Sequence, residues 1–245
     1  MECNFTHSHY LQVLKKAKKE YSIGPVKDFK KIKKNKKHII LRHDVDVSLD
    51  IAYDLAKKEA NLGLFSTYFI LLHSPYYNAL DENSFEKIQK ISKLGHEIGL
   101  HYDVSFLKKY GGGVLKNLKD EMNILSKIIG TEVISIAQHD PTYSSKLKTN
   151  ERDIFLDVKN KDLNKNLIYL SDSVQNWRSG CMCQYIGKVD GIHILTHPIW
   201  WSETGFNKKQ ILDNFVSKKN KALTNRIAIS KIFYKKYLSD IKKGI

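Results

Sequence analysis

The chain has 245 residues, enough for one large α/β domain or two small ones, and its 42% hydrophobic and 11% aromatic content supplies a core and excludes a disordered chain. A formal charge of +15 points first to nucleic acid, but the lysines are spread and no zinc-finger spacing or RNA-binding aromatic signature accompanies them, so they read as a solvated surface, with a basic rim for an anionic substrate second. No apolar run approaches the roughly 18–20 residues of a membrane span, the stretch Met1 to His7 has no leader pattern, and three cysteines without a framework indicate a reducing compartment, so a cytoplasmic protein is expected.

The first element is an N-terminal helix within residues 6–21, with Lys15, Lys16, Lys18 and Lys19 on its wet face. Lys30 to Lys37 reads as a charged connector. His38-Ile39-Ile40-Leu41 is a buried strand that runs into Arg42-His43-Asp44-Val45-Asp46. Residues i and i+2 of a strand share a face, so Asp44 and Asp46 project together. Two close carboxylates repel, and a cation between them resolves the conflict.

Leu49 to Asn61 follows as a helix, stopped by Gly63; Phe65 to Leu72 is β-rich. Ser84 is expected to cap a helix reaching Leu94, and Glu97 to Leu100 is a short strand. Gly111-Gly112-Gly113 lacks the Lys-Ser/Thr of a phosphate cradle and is a turn. Val114 to Ile129 is helical. Val133 to Ala137, Ile154 to Val158, Leu167 to Leu170 and Ile192 to Thr196 are strands. Cys181-Met182-Cys183 is too tight for half a zinc ribbon and reads as a plain loop rather than a redox or soft-ligand pair. The C-terminal segment 207–243 is helical, with a break expected near Leu223-Thr224-Asn225. About seven strands separated by helices predict a parallel sheet or barrel in a single domain, 1–245.

Carboxylates and imidazoles recur where these strands end: Asp44 and Asp46, His101, His139 with Asp140, Asp172, and His197. In a β/α barrel those ends gather on one face, where active sites form. A lone strand-end histidine is usually structural; five strands ending this way point to a metal or acid–base site. The donors are oxygen and nitrogen, a set that suits Zn²⁺ better than Ca²⁺ or Mg²⁺. Three ligands with an open position acidify a water, and a remaining carboxylate can take its proton. His43 faces away from Asp44 and reads as structural, as does His96. Trp177, Trp200 and Trp201 could form a sugar-binding wall, with ordinary core the competing reading for one of the adjacent pair.

Three segments resemble motifs of the NodB-like polysaccharide deacetylase family: Leu41-Arg42-His43-Asp44-Val45-Asp46, Gly95-His96-Glu97-Ile98-Gly99-Leu100-His101, and Ile194-Leu195-Thr196-His197. Ser171-Asp172-Ser173 with Trp177-Arg178-Ser179-Gly180, and Thr196-His197-Pro198-Ile199-Trp200-Trp201, resemble a branch found in surface-polysaccharide loci. The resemblance implies a distorted (β/α) barrel and a metal-dependent carbohydrate N-deacylase. It implies Asp44 as base, Asp46 and His101 as metal ligands, and His197 as acid; the two aspartates could exchange roles. The family's second metal histidine falls at Ser105 here, and His139 is the proposed replacement, with Asp103 in reserve. The family arginine that orients the base is absent, which leaves Arg178 or Arg42 to do so. Asp172 is placed against His197, with a strand-end cap as the competing role.

The expected function is removal of an N-acyl group (acetyl or formyl) from a free, nucleotide-linked or lipid-linked sugar. The rivals are a hydrolase acting on a cyclic amide or ureide, a non-catalytic glycan- or nucleotide-sugar-binding relative, and, from charge alone, a nucleic-acid binder.

Overall fold

A computed structural model describes residues 4–109, 111–139, 147 and 155–229. Two compact units divide the chain, Met1–Gly205 and Phe206–Ile245. The first begins with α1 (His7–Ala17), where the Thr6 hydroxyl accepts the His9 backbone N–H at 3.0 Å. Such a cap contributes about 1 kcal/mol. The short β1 (Ser22–Gly24) and α2 (Phe29–Ile32) follow, the second overlapping the start of the charged connector Lys30 to Lys37. The chain then alternates: β2 (His38–Val45), α3 (Leu49–Asn61), β3 (Thr67–Leu71), α4 (Glu82–Lys93), β4 (Glu97–Tyr102), α5 (Val104–Leu107), α6 (Val114–Ile129), β5 (Ser135–Gln138), β6 (Leu156–Asp157), α7 (Lys161–Asn164), β7 (Ile168–Ser171) and β8 (Gly191–Thr196).

All these strands pair in parallel, in the order β6-β5-β4-β3-β2-β8-β7. This is the expected distorted (β/α) barrel of seven parallel strands, curled and open: among the described residues β6 and β7, the two ends of the path, do not pair. The eighth strand, β1, is an addition the sequence did not suggest; it lies along the first half of β2 while β3 takes the second half.

β2 is buried along its whole length, so both its faces must be satisfied. Ile39 and Leu41 point outward, into a cluster with Tyr10, Leu14, Leu55 and Trp201; Val45 joins the second outer cluster, with Ala52, Ile88 and Leu125. Ile40 points inward and packs with Phe69, Ala137 and Val158, over a floor of Val26, Phe29 and Ile32. Burying each such aliphatic side chain stabilises the fold by about 1.5–3 kcal/mol. Gly99 serves this inner layer: a Cβ there would sit 2.4 Å from the Phe69 ring, so only glycine lets Phe69 fill the barrel.

Two local expectations are corrected. The α4 helix is capped by Asp81, whose Oδ1 accepts the backbone N–H groups of Asn83 and Ser84 at 3.1 and 3.2 Å; Ser84 lies inside the helix. In the second unit α8 (Lys208–Ile229) runs through Leu223-Thr224-Asn225 without a break, because leucine is a strong helix former and threonine and asparagine are weak formers rather than breakers.

Candidate active site

Parallel strands finish at one edge, and their register decides who meets there. Val45 lies beside Ile70, Leu71 beside His101, and His101 beside Ala137. Asp46, one residue past β2, therefore comes level with His101 across β3. His139 stands two residues beyond Ala137 and shares its face. On the other side of β2, His43 lies beside Thr196, which brings Asp44 level with His197.

Asp46, His101 and His139 each offer one ligand atom, and these three atoms lie within 4.8 Å of one another. Asp46 Oδ1 is 3.2 Å from His101 Nε2 and 3.9 Å from His139 Nε2. Donors around a tetrahedral zinc with bonds of about 2.0–2.2 Å stand roughly 3.3–3.5 Å apart. His101 Nδ1 is 2.9 Å from the Ala137 carbonyl oxygen, to which it donates. That bond fixes the tautomer and leaves the Nε2 lone pair facing Asp46, the usual arrangement of a ligating histidine. The His101 and His139 rings are set edge to face, 5.1 Å apart.

A cation fits this group on one further observation. Asp46 Oδ1 is shielded from solvent, yet among the described residues no donor meets it with hydrogen-bond geometry. Burial works against its charge, but the imidazoles of His101, His197 and His139 outweigh burial and hold the carboxyl below the usual carboxylate range. Burial likewise opposes a proton on His101, and Asp44 followed by Asp46 reverses that and raises its pKa. Asp46 therefore stays ionised, and a cation bound beside it would take the place of the proton on His101.

Asp44 lies beside this group rather than within it. Its Oδ1 accepts from Arg42 at 2.7 Å, and its Oδ2 is 3.8 Å from His101 Nε2. Arg42 is buried, with its second nitrogen 3.3 Å from the Tyr169 hydroxyl and its guanidinium over the Phe69 ring. On the opposite flank His197 Nε2 is 3.8 Å from Asp46 Oδ2. Asp172 is fully buried and holds His197 twice, accepting its backbone N–H at 2.9 Å and its Nδ1 at 2.7 Å. Burial lowers the His197 pKa; Asp172 outweighs this and pushes it up to about 9.

Other sequence candidates fall elsewhere. Arg178 is exposed, and the arginine against Asp44 is Arg42. Trp201 is 1% exposed and donates its indole N–H to Asp172 Oδ2 at 2.8 Å, so it is core and not a sugar wall. Trp177 and Trp200 are half-buried against the same cluster. Ser105 is exposed on α5, turned to a helical surface by the chain's reversal after β4. Asp103 caps that helix, accepting the Ser105 and Phe106 backbone N–H groups. Asp140 lies outside the described residues.

Sequence reading missed a second polar cluster, on the outer face of β2. Glu59 is fully buried there. Its Oε1 accepts from Tyr10 and lies 2.9 Å from His43 Nε2; its Oε2 accepts from Ser66 at 2.7 Å and Tyr68 at 3.0 Å. His43 Nδ1 contacts the Thr196 hydroxyl at 2.7 Å, and His96 Nε2 donates to the Ala56 carbonyl at 3.0 Å. Burial raises the Glu59 pKa; His43 leads the groups that outweigh it and bring it to about 2. Its one sequence signal is its place on the apolar stripe of α3, one turn past Leu55 and Ala56 and two past Ala52.

No family model matches the chain, and no curated protein matches it. Solved structures do. A family 4 carbohydrate esterase from Bacillus anthracis is 16% identical over 77% of this chain and 78% of its own, with a TM-score of 0.43. The peptidoglycan deacetylase PdaC from Bacillus subtilis is 18% identical over 79% of this chain and 95% of its own, at 0.44. A family 4 pseudoenzyme, also from Bacillus anthracis, is 13% identical over 77% of this chain and 62% of its own, at 0.44.

Proposed function

We propose that this protein is a metal-dependent hydrolase that removes an N-acyl group, acetyl or formyl, from a sugar in surface-polysaccharide biosynthesis. The carrying observation is the group Asp46, His101 and His139, with donor atoms within 4.8 Å of one another and an unsatisfied Asp46 oxygen among them. The mixed nitrogen and oxygen donors favour Zn²⁺. Asp46, His101 and His139 would hold the ion, which would acidify a water and polarise an acyl carbonyl.

The chain's own residues do the rest. Arg42 fixes Asp44 as a charged acceptor at the rim, where it takes the proton of the attacking water. Asp172 holds His197 Nδ1, so Nε2 is the nitrogen turned toward Asp46 and the one that gives a proton to the departing amine. Trp177 and Trp200 lie in the segments flanking His197 and are assigned to the sugar. Asp46 rather than Asp44 is the metal carboxylate, because it is the one within reach of both histidines. The sugar class comes from the motif resemblance, and a cytoplasmic setting agrees with the unbridged thiols of Cys181 and Cys183.

The test is amine release from N-acetylated and N-formylated sugars, set against cyclic amides, with bound metal measured on the same preparation. Sugar deacylation is expected of the wild-type protein, and Asp46→Asn should abolish it and lower the bound zinc by one equivalent. Full activity in Asp44→Asn or His197→Ala would refute the assigned roles.

A further inference from the structure

The β7–β8 connection, which leads from Asp172 to the strand before His197, meets α1 and carries a different set of donors. His9 lies in the first turn of α1; Cys181 and Cys183 flank Met182, which anchors their loop in the outer core. His9 Nε2 is 3.3 Å from Cys181 Sγ, across 172 positions of sequence. The nitrogen and both sulfurs lie within 4.8 Å of one another. Neither sulfur is in a disulfide. His9 and Cys181 are buried, while Cys183 is half-exposed.

We infer that His9, Cys181 and Cys183 form a second metal site, for a thiophilic d¹⁰ cation, Zn²⁺ or Cu⁺. Donors around a zinc with Zn–S near 2.3 Å and Zn–N near 2.0 Å stand roughly 3.5–3.8 Å apart, so the existing spacing needs only a small contraction. Two thiolates and one imidazole are soft donors that select these ions over Mg²⁺ or Ca²⁺. Burial lowers the His9 pKa, which keeps the ring neutral and able to ligate. Cys181 is the N-cap of the short 3₁₀ turn Met182–Gln184, which carries Cys183. The half-exposed side, at Cys183, leaves a coordination position for water with zinc, or none with trigonal Cu⁺.

The site has a structural role. It ties α1 to the β7–β8 connection beside Trp201, whose ring stacks parallel to His9 at 6.5 Å. Trp201 in turn donates to Asp172. An ion at His9 therefore braces the groups that aim His197.

Cobalt separates this site from the one at the barrel mouth, which contains no sulfur. Reduced protein, stripped by chelator and titrated with Co²⁺, is expected to develop a thiolate-to-cobalt charge-transfer band, which with the mouth site disabled saturates at one equivalent. The band should persist in Asp46→Asn and vanish in Cys183→Ser, whose half-exposed position spares the core. Zinc should displace the cobalt and protect the peptide carrying Cys181 and Cys183 from alkylation. Parallel anaerobic competition with a chromophoric Cu⁺ chelator decides between the two ions. Absence of the band in wild-type protein, its survival in Cys183→Ser, or a Cys181–Cys183 disulfide whose reduction restores no metal uptake would each overturn the assignment.

Discussion

On the inner side of β2, Asp46 meets His101 and His139; on the outer side, Glu59 meets His43 and His96. Both sites pair one carboxylate with two imidazoles, and the residue types hardly differ. Their hydrogen bonding does. Both oxygens of Glu59 are fully engaged by tyrosine, serine and histidine, and no solvent reaches them. Asp46 lies at the open edge and keeps an oxygen that no donor among the described residues satisfies. A completed shell makes a structural element of a buried charge, whereas an incomplete one leaves a place for a ligand.

The largest expected effect lies on the inner side. Asp44→Asn should lower kcat by roughly 10³-fold, the middle of the range for loss of a general base, with circular dichroism and melting unchanged. Glu59→Ala should do the reverse, costing about 3–5 kcal/mol in urea unfolding because it strands buried partners, while kcat per folded molecule holds. If Glu59→Ala instead silenced the enzyme at unchanged stability, the division between the two sides would collapse.

Acid titration sharpens the same contrast. The Glu59 pKa is depressed in the folded state, from an ordinary 4.5 to about 2. The unfolded state therefore binds the proton first as pH falls, and stability is lost from about pH 4.5 down through about pH 2. The loss is about 3 kcal/mol at 1.36 kcal/mol per pKa unit. Glu59→Gln should lack this acid limb in pH-dependent unfolding curves. The smallest effect belongs to Arg178→Ala: an exposed side chain should change stability by at most about 0.5 kcal/mol and leave kcat where it was, whereas a large fall in kcat would return Arg178 to the site.

Strand periodicity made much of this legible in advance. The alternation through Arg42-His43-Asp44-Val45-Asp46 separates inner from outer residues, and the strand ends gather where a parallel barrel requires. The same rule favours Arg42 over Arg178, since Arg42 and Asp44 are two apart on one strand. Glu59 was harder: it follows Lys57 and Lys58 on a helix, and only the packing of α1 and β3 residues around it shows that it is buried. Trp200 and Trp201 are neighbours with different surroundings, and sequence order alone does not say which is enclosed. The Cys181–Cys183 pair gained its partner, His9, only through the docking of α1.

Anomalous diffraction from crystals of the purified protein, recorded on both sides of the zinc edge, tests the central claim most directly. A peak within about 2.0–2.2 Å of Asp46 Oδ1, His101 Nε2 and His139 Nε2 is predicted. A fully formed barrel mouth in zinc-replete crystals with no peak between those three atoms would contradict it.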